Sequence, residues 1–183
     1  TSEIFNNTPG SFSCANSPKC ANPNRQGFRG PTHEQNFTDY DTVFQKYAGC
    51  GGIDWRILKA VAFKESRFDE ASVNCCGFRG LFQMNAAYCG QANLARFNNF
   101  SAGSCNKENL TNIDVNVAAA AINLGKYAST VKRKCPNIDT QRLVALLYLA
   151  HNSGPGSLNG TNRSRGVLSR VGCNGDIVAG AAA

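Results

Sequence analysis

The sequence predicts a mainly α-helical domain preceded by a loop-rich, disulfide-bearing N-terminal arm. Three observations lead there. Apolar residues recur at helical spacing behind capping residues at 54, 114 and 139. The first 50 residues hold four of the six prolines and show no such periodicity. Nine cysteines are scattered over 183 residues. The expected boundaries are an arm over 1–50, packed on a helical domain over 51–183.

In the arm, Cys14 and Cys20 lie among Asn, Gly and Pro, and the one apolar stretch is a short run at 40–47. Such a segment reads as loop, pinned by Cys14, Cys20 and Cys50. Asp54 is a good N-cap, and 55–68 reads as an amphipathic helix. Turning 100° per residue puts Val61, Ala62, Glu65 and Phe68 within about 80° of Leu58. Arg56, Lys59, Arg67 and Glu70 point the other way. A Gly-containing turn follows at 75–80, then a short apolar segment at 81–88, helix or strand. Asp114 is expected to cap a second long helix ending near Lys134, where Lys132, Arg133 and Lys134 suit the C-terminal dipole and Pro136 stops it. Asp139 caps a third, from Thr140 to about His151, stopped by Gly154 and Pro155. A short helix at 165–171 completes the reading.

Composition narrows the function classes. With 42% hydrophobic and 17% charged residues the chain is globular and not disordered. The longest uncharged apolar stretch, 143–150, has eight residues, where a membrane span needs about 20. The cysteines include no C-x-x-C pair, and His33 and His151 are the only histidines, so disulfides in an oxidising, extracellular compartment are expected in place of a metal site. Up to four bridges leave a ninth thiol free or available to a second chain. Asn-x-Ser/Thr sequons begin at Asn6, Asn36, Asn99, Asn109, Asn159 and Asn162, compatible with glycosylation on a secretory route. Residues 1–10 have neither the basic start nor the apolar run of a signal peptide, which suits a mature secreted protein. The net charge of +7 favours an anionic partner. Nucleic acid is not expected: there is no finger motif, and the run 132–134 has its helix-end explanation.

Glu65 is the most informative residue. A carboxylate centred on an apolar helical face loses hydration on folding, which favours its neutral form, the form a general acid needs to protonate a leaving glycosidic oxygen. The plain alternative is a carboxylate paired with a cation from another element. Asp69, one turn on, suits a cap or salt bridge better than an opposing nucleophile across a sugar.

Three ordered motifs add to this: Glu65-Ser66-Arg67-Phe68; Gly77 followed by Gly80-Leu81-Phe82-Gln83-Met84-Asn85; and Leu149-Ala150-His151-Asn152-Ser153-Gly154-Pro155-Gly156. Over 53–158 the chain resembles the lytic transglycosylase (SLT) domain of the goose-lysozyme-like superfamily. That family carries a Glu-Ser, a Gly-Leu-Met-Gln eighteen residues on, and an Ala-Tyr-Asn-Ala-Gly-Pro-Gly element; Glu65 to Gln83 is likewise eighteen. Residues 114–117 resemble the family's Asp-x-x-Asn-Ile helix start.

The resemblance implies a lysozyme-like α fold and a secreted enzyme acting on peptidoglycan strands. It implies cleavage of the β-1,4 bond between N-acetylmuramic acid and N-acetylglucosamine without water, leaving 1,6-anhydro ends, with Glu65 as the one catalytic residue and no cofactor or metal. Gln83, Asn74, Tyr148, His151 and Asn152 are the expected substrate-binding residues. Asn74 stands where the family has a serine bonded to the catalytic Glu, and His151 where it has a tyrosine beside the cleft. Tyr148, one turn earlier, offers a phenol. Two rival functions are a muramidase that admits water to the same bond, and a non-catalytic glycan-binding or disulfide-linked subunit.

Overall fold

The computed structural model describes residues 38–74, 76–154 and 173. The helix expected at 165–171, Cys14, Cys20 and the sequons at Asn6, Asn36, Asn159 and Asn162 lie outside them. The chain divides into two compact units between Asn123 and Leu124. The described residues are mainly helical: α1 (Asp41–Gly51), α2 (Trp55–Ser66), α3 (Ala86–Gln91), α4 (Ile113–Lys134) and α5 (Thr140–Ser153), with short 3-10 turns between α3 and α4. Extended pairing among these residues is confined to two isolated antiparallel bridges, Val73 with Arg79 and Arg79 with Met84. Leu124–Lys134, the second half of α4, belongs with α5 to the second unit.

Helix α1 corrects the loop reading of 41–50. Phe44, Tyr47 and Ala48, at i, i+3 and i+4, are its buried face. Tyr40 gives it no side-chain cap, and Gly52 ends it at φ +62°. It packs against α2. Its last turn also meets α4 so closely that a Cβ on Gly51 would overlap the Ala121 carbonyl oxygen. Cys50 is exposed and free, not a pin for the arm. A thiol-directed label is therefore expected on Cys50 in the native protein and on none of Cys89, Cys105, Cys135 or Cys173. Labelling at one of those four in a peptide map would contradict the assignment.

Helix α2 starts as expected. The Asp54 carboxylate accepts from Arg56 N at 2.9 Å and pairs with the Arg56 guanidinium at 2.6 Å. These hydrogen bonds hold the Asp54 carboxyl at about 2, below its ordinary 3.8. Because the folded value is depressed, this stabilisation is complete above about pH 4 and is lost as pH falls towards 2. Asp54→Ala is expected to cost about 1 kcal/mol at neutral pH, the usual worth of an N-cap. Melting curves at pH 7 and pH 2 should show the difference shrinking in acid; an unchanged gap would overturn it.

The first unit's core is aromatic. Phe44, Phe68 and Phe82 are almost wholly inaccessible, with Phe44 lying 6.3 Å from Phe68 and 6.1 Å from Phe82, ring to ring. Cys89–Cys105 bridges the segment after α3, closing a loop worth about 3 kcal/mol in chain entropy. In the second unit, Cys135–Cys173 follows α4, and Leu143, Leu146, Leu147 and Ala150 are the buried face of α5. Cys76 is disulfide-bonded too.

Two features differ from expectation. Helix α4 begins at Ile113, and its cap is Asn112, whose Oδ1 accepts from Val115 N at 3.1 Å. Asp114 sits instead in the first turn, where negative charge is favoured, and accepts from the Tyr47 phenol at 2.6 Å and the Lys46 ammonium at 3.0 Å. The 81–88 segment is neither one helix nor one strand: a turn and the Met84 bridge precede α3, which Asn85 caps through Tyr88 N.

Candidate functional site

Glu65 occupies the last turn of α2, half-buried, beside the fully buried Ala62 and Ser66. The helix is shorter than its apolar pattern suggests. It ends because Arg67 and Phe68 turn left-handed, at φ +51° and +65°. A β-carbon disfavours that region, and the burial of Phe68 among Tyr40, Phe44 and Phe63 compensates. Ser66 Oγ donates back to Ala62 O at 3.2 Å. On the same turn, burial pushes the Lys64 ammonium pKa down, opposed by the Glu65 charge.

From this helix end a series of hydrogen bonds runs to the next motif. Asp69 N donates to Ser66 O, Ser72 N to Asp69 O, and Gly80 N to Ser72 O, at 3.0–3.2 Å. Asp69 Oδ1 accepts from Ala71 N at 3.0 Å, so its carboxylate stabilises the turn, as a cap would. Gln83 then closes the series, its Nε2 donating to Ser72 O at 3.0 Å and Gly80 O at 2.9 Å. Both amide protons are thereby engaged, and Oε1 is the end left for a ligand, as an acceptor. The side chain is held this way on a backbone at φ +43°.

Asn74 staples the tip of the same loop. Its Oδ1 accepts from Cys76 N and Phe78 N, each at 2.9 Å, leaving Nδ2 as the donor for other partners. Behind the loop, Asn116 of α4 is wholly buried and bonds three backbone groups: it accepts from Phe82 N and donates to Arg79 O and Leu110 O. Gly80 faces it at φ +79°, where a Cβ would overlap the Asn116 amide. Sequence reasoning treated residues 114–117 only as a helix start and missed Asn116 as the clamp; a buried Asn facing a glycine turn is the signal. Asn116→Ala would remove the Asn116 partner of Phe82 N and of Leu110 O and leave Arg79 O with Met84 N alone, and a loss of about 2 kcal/mol is expected. A denaturant titration checks this, and a change below about 0.5 kcal/mol, the range of an ordinary surface site, would refute it.

Tyr148, His151 and Asn152 belong to the second unit, on the last two turns of α5. Tyr148 is half-buried and His151 buried. Asn152 is exposed, and its Nδ2 donates to Tyr148 O at 3.1 Å. Glu65, Asn74 and Gln83 thus lie in the first unit, and the other three share one helix end in the second. Among the described residues no cluster of His, Cys, Asp and Glu could hold a metal ion, and no helix is long and apolar enough to cross a membrane.

A half-buried carboxylic acid at a fixed helix end, followed by a loop offering an amide acceptor and an amide donor, is equipped for proton transfer to a ligand rich in hydroxyl and acetamido groups. The family model for the transglycosylase SLT domain matches residues 42–170. Curated relatives include the membrane-bound lytic murein transglycosylase F of Alteromonas mediterranea, 36% identical over 61 residues, covering 33% of this chain and 13% of the relative. The protein of the same name from Actinobacillus succinogenes is 40% identical over 48 residues, 26% of this chain and 10% of the relative. That from Haemophilus influenzae is 37% identical over 51 residues, 28% and 10%. The chain therefore spans about a tenth of the length of these relatives.

Proposed function

The chain belongs to the transglycosylase SLT domain family, and on that premise we propose that it is a peptidoglycan lytic transglycosylase in which Glu65 serves as both acid and base. Glu65 protonates the oxygen linking N-acetylmuramic acid to N-acetylglucosamine, and the C1–O bond breaks as the substrate's own acetamido oxygen shields C1. The carboxylate then takes the proton of the muramoyl C6 hydroxyl while that oxygen attacks C1, closing the 1,6-anhydro ring and restoring the acid. One protein carboxylate suffices, and no water enters the products.

The observation that carries this reading is the position of Glu65, half-buried in the last turn of α2, next to Ser66, from which successive hydrogen bonds run to Gln83. Gln83 Oε1 would accept from a sugar hydroxyl or acetamido N–H, and Asn74 Nδ2 would donate. Tyr148, His151 and Asn152, on α5, are proposed as further substrate-binding residues. Mass spectrometry of products from purified sacculi tests the chemistry. Ends lighter by one water are expected; hydrated ends alone would convert the reading to a muramidase, and no cleavage would leave a binding or structural subunit.

The two described disulfides support an oxidising compartment, and secretion is proposed on that basis. Of the described sequons, Asn99 is exposed, whereas Asn109 lies half-buried in a 3-10 turn with its amide on Gly103 O, so Asn99 is the better acceptor for a glycan. The exposed Cys50 thiol is the proposed link for a disulfide to another chain.

A further inference from the structure

We propose that Arg79 is a docking point for a carboxylate on the glycan strand, and so sets a preference for muramoyl-containing over neutral polysaccharide. The inference rests on the glycan-cleaving reading and extends it to a residue that no motif singles out. The Arg79 backbone is held by three hydrogen bonds: its N donates to Met84 O, and its O accepts from Met84 N and from Asn116 Nδ2, all at 3.0–3.1 Å. It lies in the hairpin that carries Asn74 and Gln83.

Its side chain is treated unlike the other described arginines. Arg56 and Arg142 pair with Asp54 and Asp139. Arg67 and Arg96 lie over the rings of Phe63 and Phe97. Arg133 is exposed to water. Arg79 is half-buried, as Arg67 and Arg142 are, but among the described arginines it alone has a buried Nε with no hydrogen-bond partner. Asp41 Oδ1 is likewise without a hydrogen bond but faces the Lys59 ammonium at 2.7 Å. Arg79 Nε has no such compensation.

A buried guanidinium Nε without an acceptor is costly, and the planar fork it belongs to matches the two oxygens of a carboxylate. Peptidoglycan offers carboxylates in two places, the lactyl group of a muramoyl residue without a stem peptide and the stem peptide itself. Neutral N-acetylglucosamine polymers offer none. A fixed backbone means that binding has only the side chain's outer bonds to order, which keeps the entropic cost small.

The test is calorimetric titration in a Glu65→Gln background, which stops turnover. The ligands are a muramoyl tetrasaccharide with free lactyl carboxylates, the same strand with stem peptides, and chitotetraose. Carboxylate-bearing strands are expected to bind about tenfold or more tighter than chitotetraose at low salt, as a charge-assisted contact allows. Arg79→Gln should abolish that preference, Arg79→Lys should keep part of it, and chitotetraose affinity should not move. Which muramoyl ligand gains identifies the source of the carboxylate.

Thermal unfolding separates this from a structural role: removing an unpaired buried donor should leave Tm unchanged or raise it. Equal loss for charged and neutral ligands, no loss, no binding at all, or a fall in Tm that Arg79→Lys restores would each overturn the proposal. Sacculus cleavage by the chain with native Glu65 is read in parallel. Cleavage with an Arg79-independent preference sinks only this inference, and an Arg79-dependent preference without cleavage sinks only the catalytic reading.

Discussion

Replacing Glu65 by Gln is expected to slow the clearing of bacterial cell walls by about a thousandfold, within the usual range for loss of a general acid–base group. The amide preserves shape and hydrogen-bonding capacity but neither yields a proton to the glycosidic oxygen nor takes one from the C6 hydroxyl, so both halves of the proposed cycle fail. Because the residue is half-buried on a helix end and the change is isosteric, stability should stay within about 0.5 kcal/mol. Turbidity loss and product mass measure the first effect, and thermal melting the second. Equal clearing by variant and parent would remove Glu65 from the mechanism.

Phe68→Ala is expected to give the largest loss of stability, about 3–5 kcal/mol, as for other buried aromatic truncations. Phe68 is 1% exposed, and its ring centre lies 5.4 Å from Phe63, 6.1 Å from Tyr40 and 6.3 Å from Phe44. It is also the second of two left-handed residues immediately after the Glu65 turn. The same ring therefore fills the core and offsets the backbone strain that ends α2 where it does. Activity should fall by more than the unfolded fraction accounts for, since the last turn loses what fixes it. Guanidinium titration alongside the specific activity of the folded fraction separates the two effects. A folded variant with full specific activity would show that the turn holds itself.

Helices α2, α4 and α5 were legible in the sequence because apolar spacing and stop signals agree there, as do the caps Asp54 and Asp139. Helix α1 was not, since Gly49, Gly51, Gly52 and the absence of a capping side chain concealed the Phe44, Tyr47 and Ala48 face. The end of α2 was read two residues late because a left-handed stop is signalled by glycine, and here Arg67 and Phe68 supply it. Asn112 was passed over as a cap because Asp114, two residues on, is as good a capping residue in sequence terms; Tyr47 and Lys46, distant in sequence, claim its carboxylate. At the candidate site, the identities of Asn74 and Gln83 came from motif spacing. Which of their atoms are already spent on the turn is a matter of tertiary hydrogen bonding and has no local sequence signal. The same holds for Arg79, whose distinction is a partner it lacks.

The alanine run at 118–121 has the look of low-complexity filler, yet all four residues are at most 1% exposed, and the Ala121 carbonyl oxygen leaves no room for a β-carbon on Gly51. Its information is carried by smallness. Randomising Gly51 together with Ala118–Ala121 and selecting for folding should return almost only glycine and alanine, a narrower choice than at Phe44 or Leu58, where other apolar shapes can repack. A segment that composition ranks as the least specific in the domain would then be among the least free to drift.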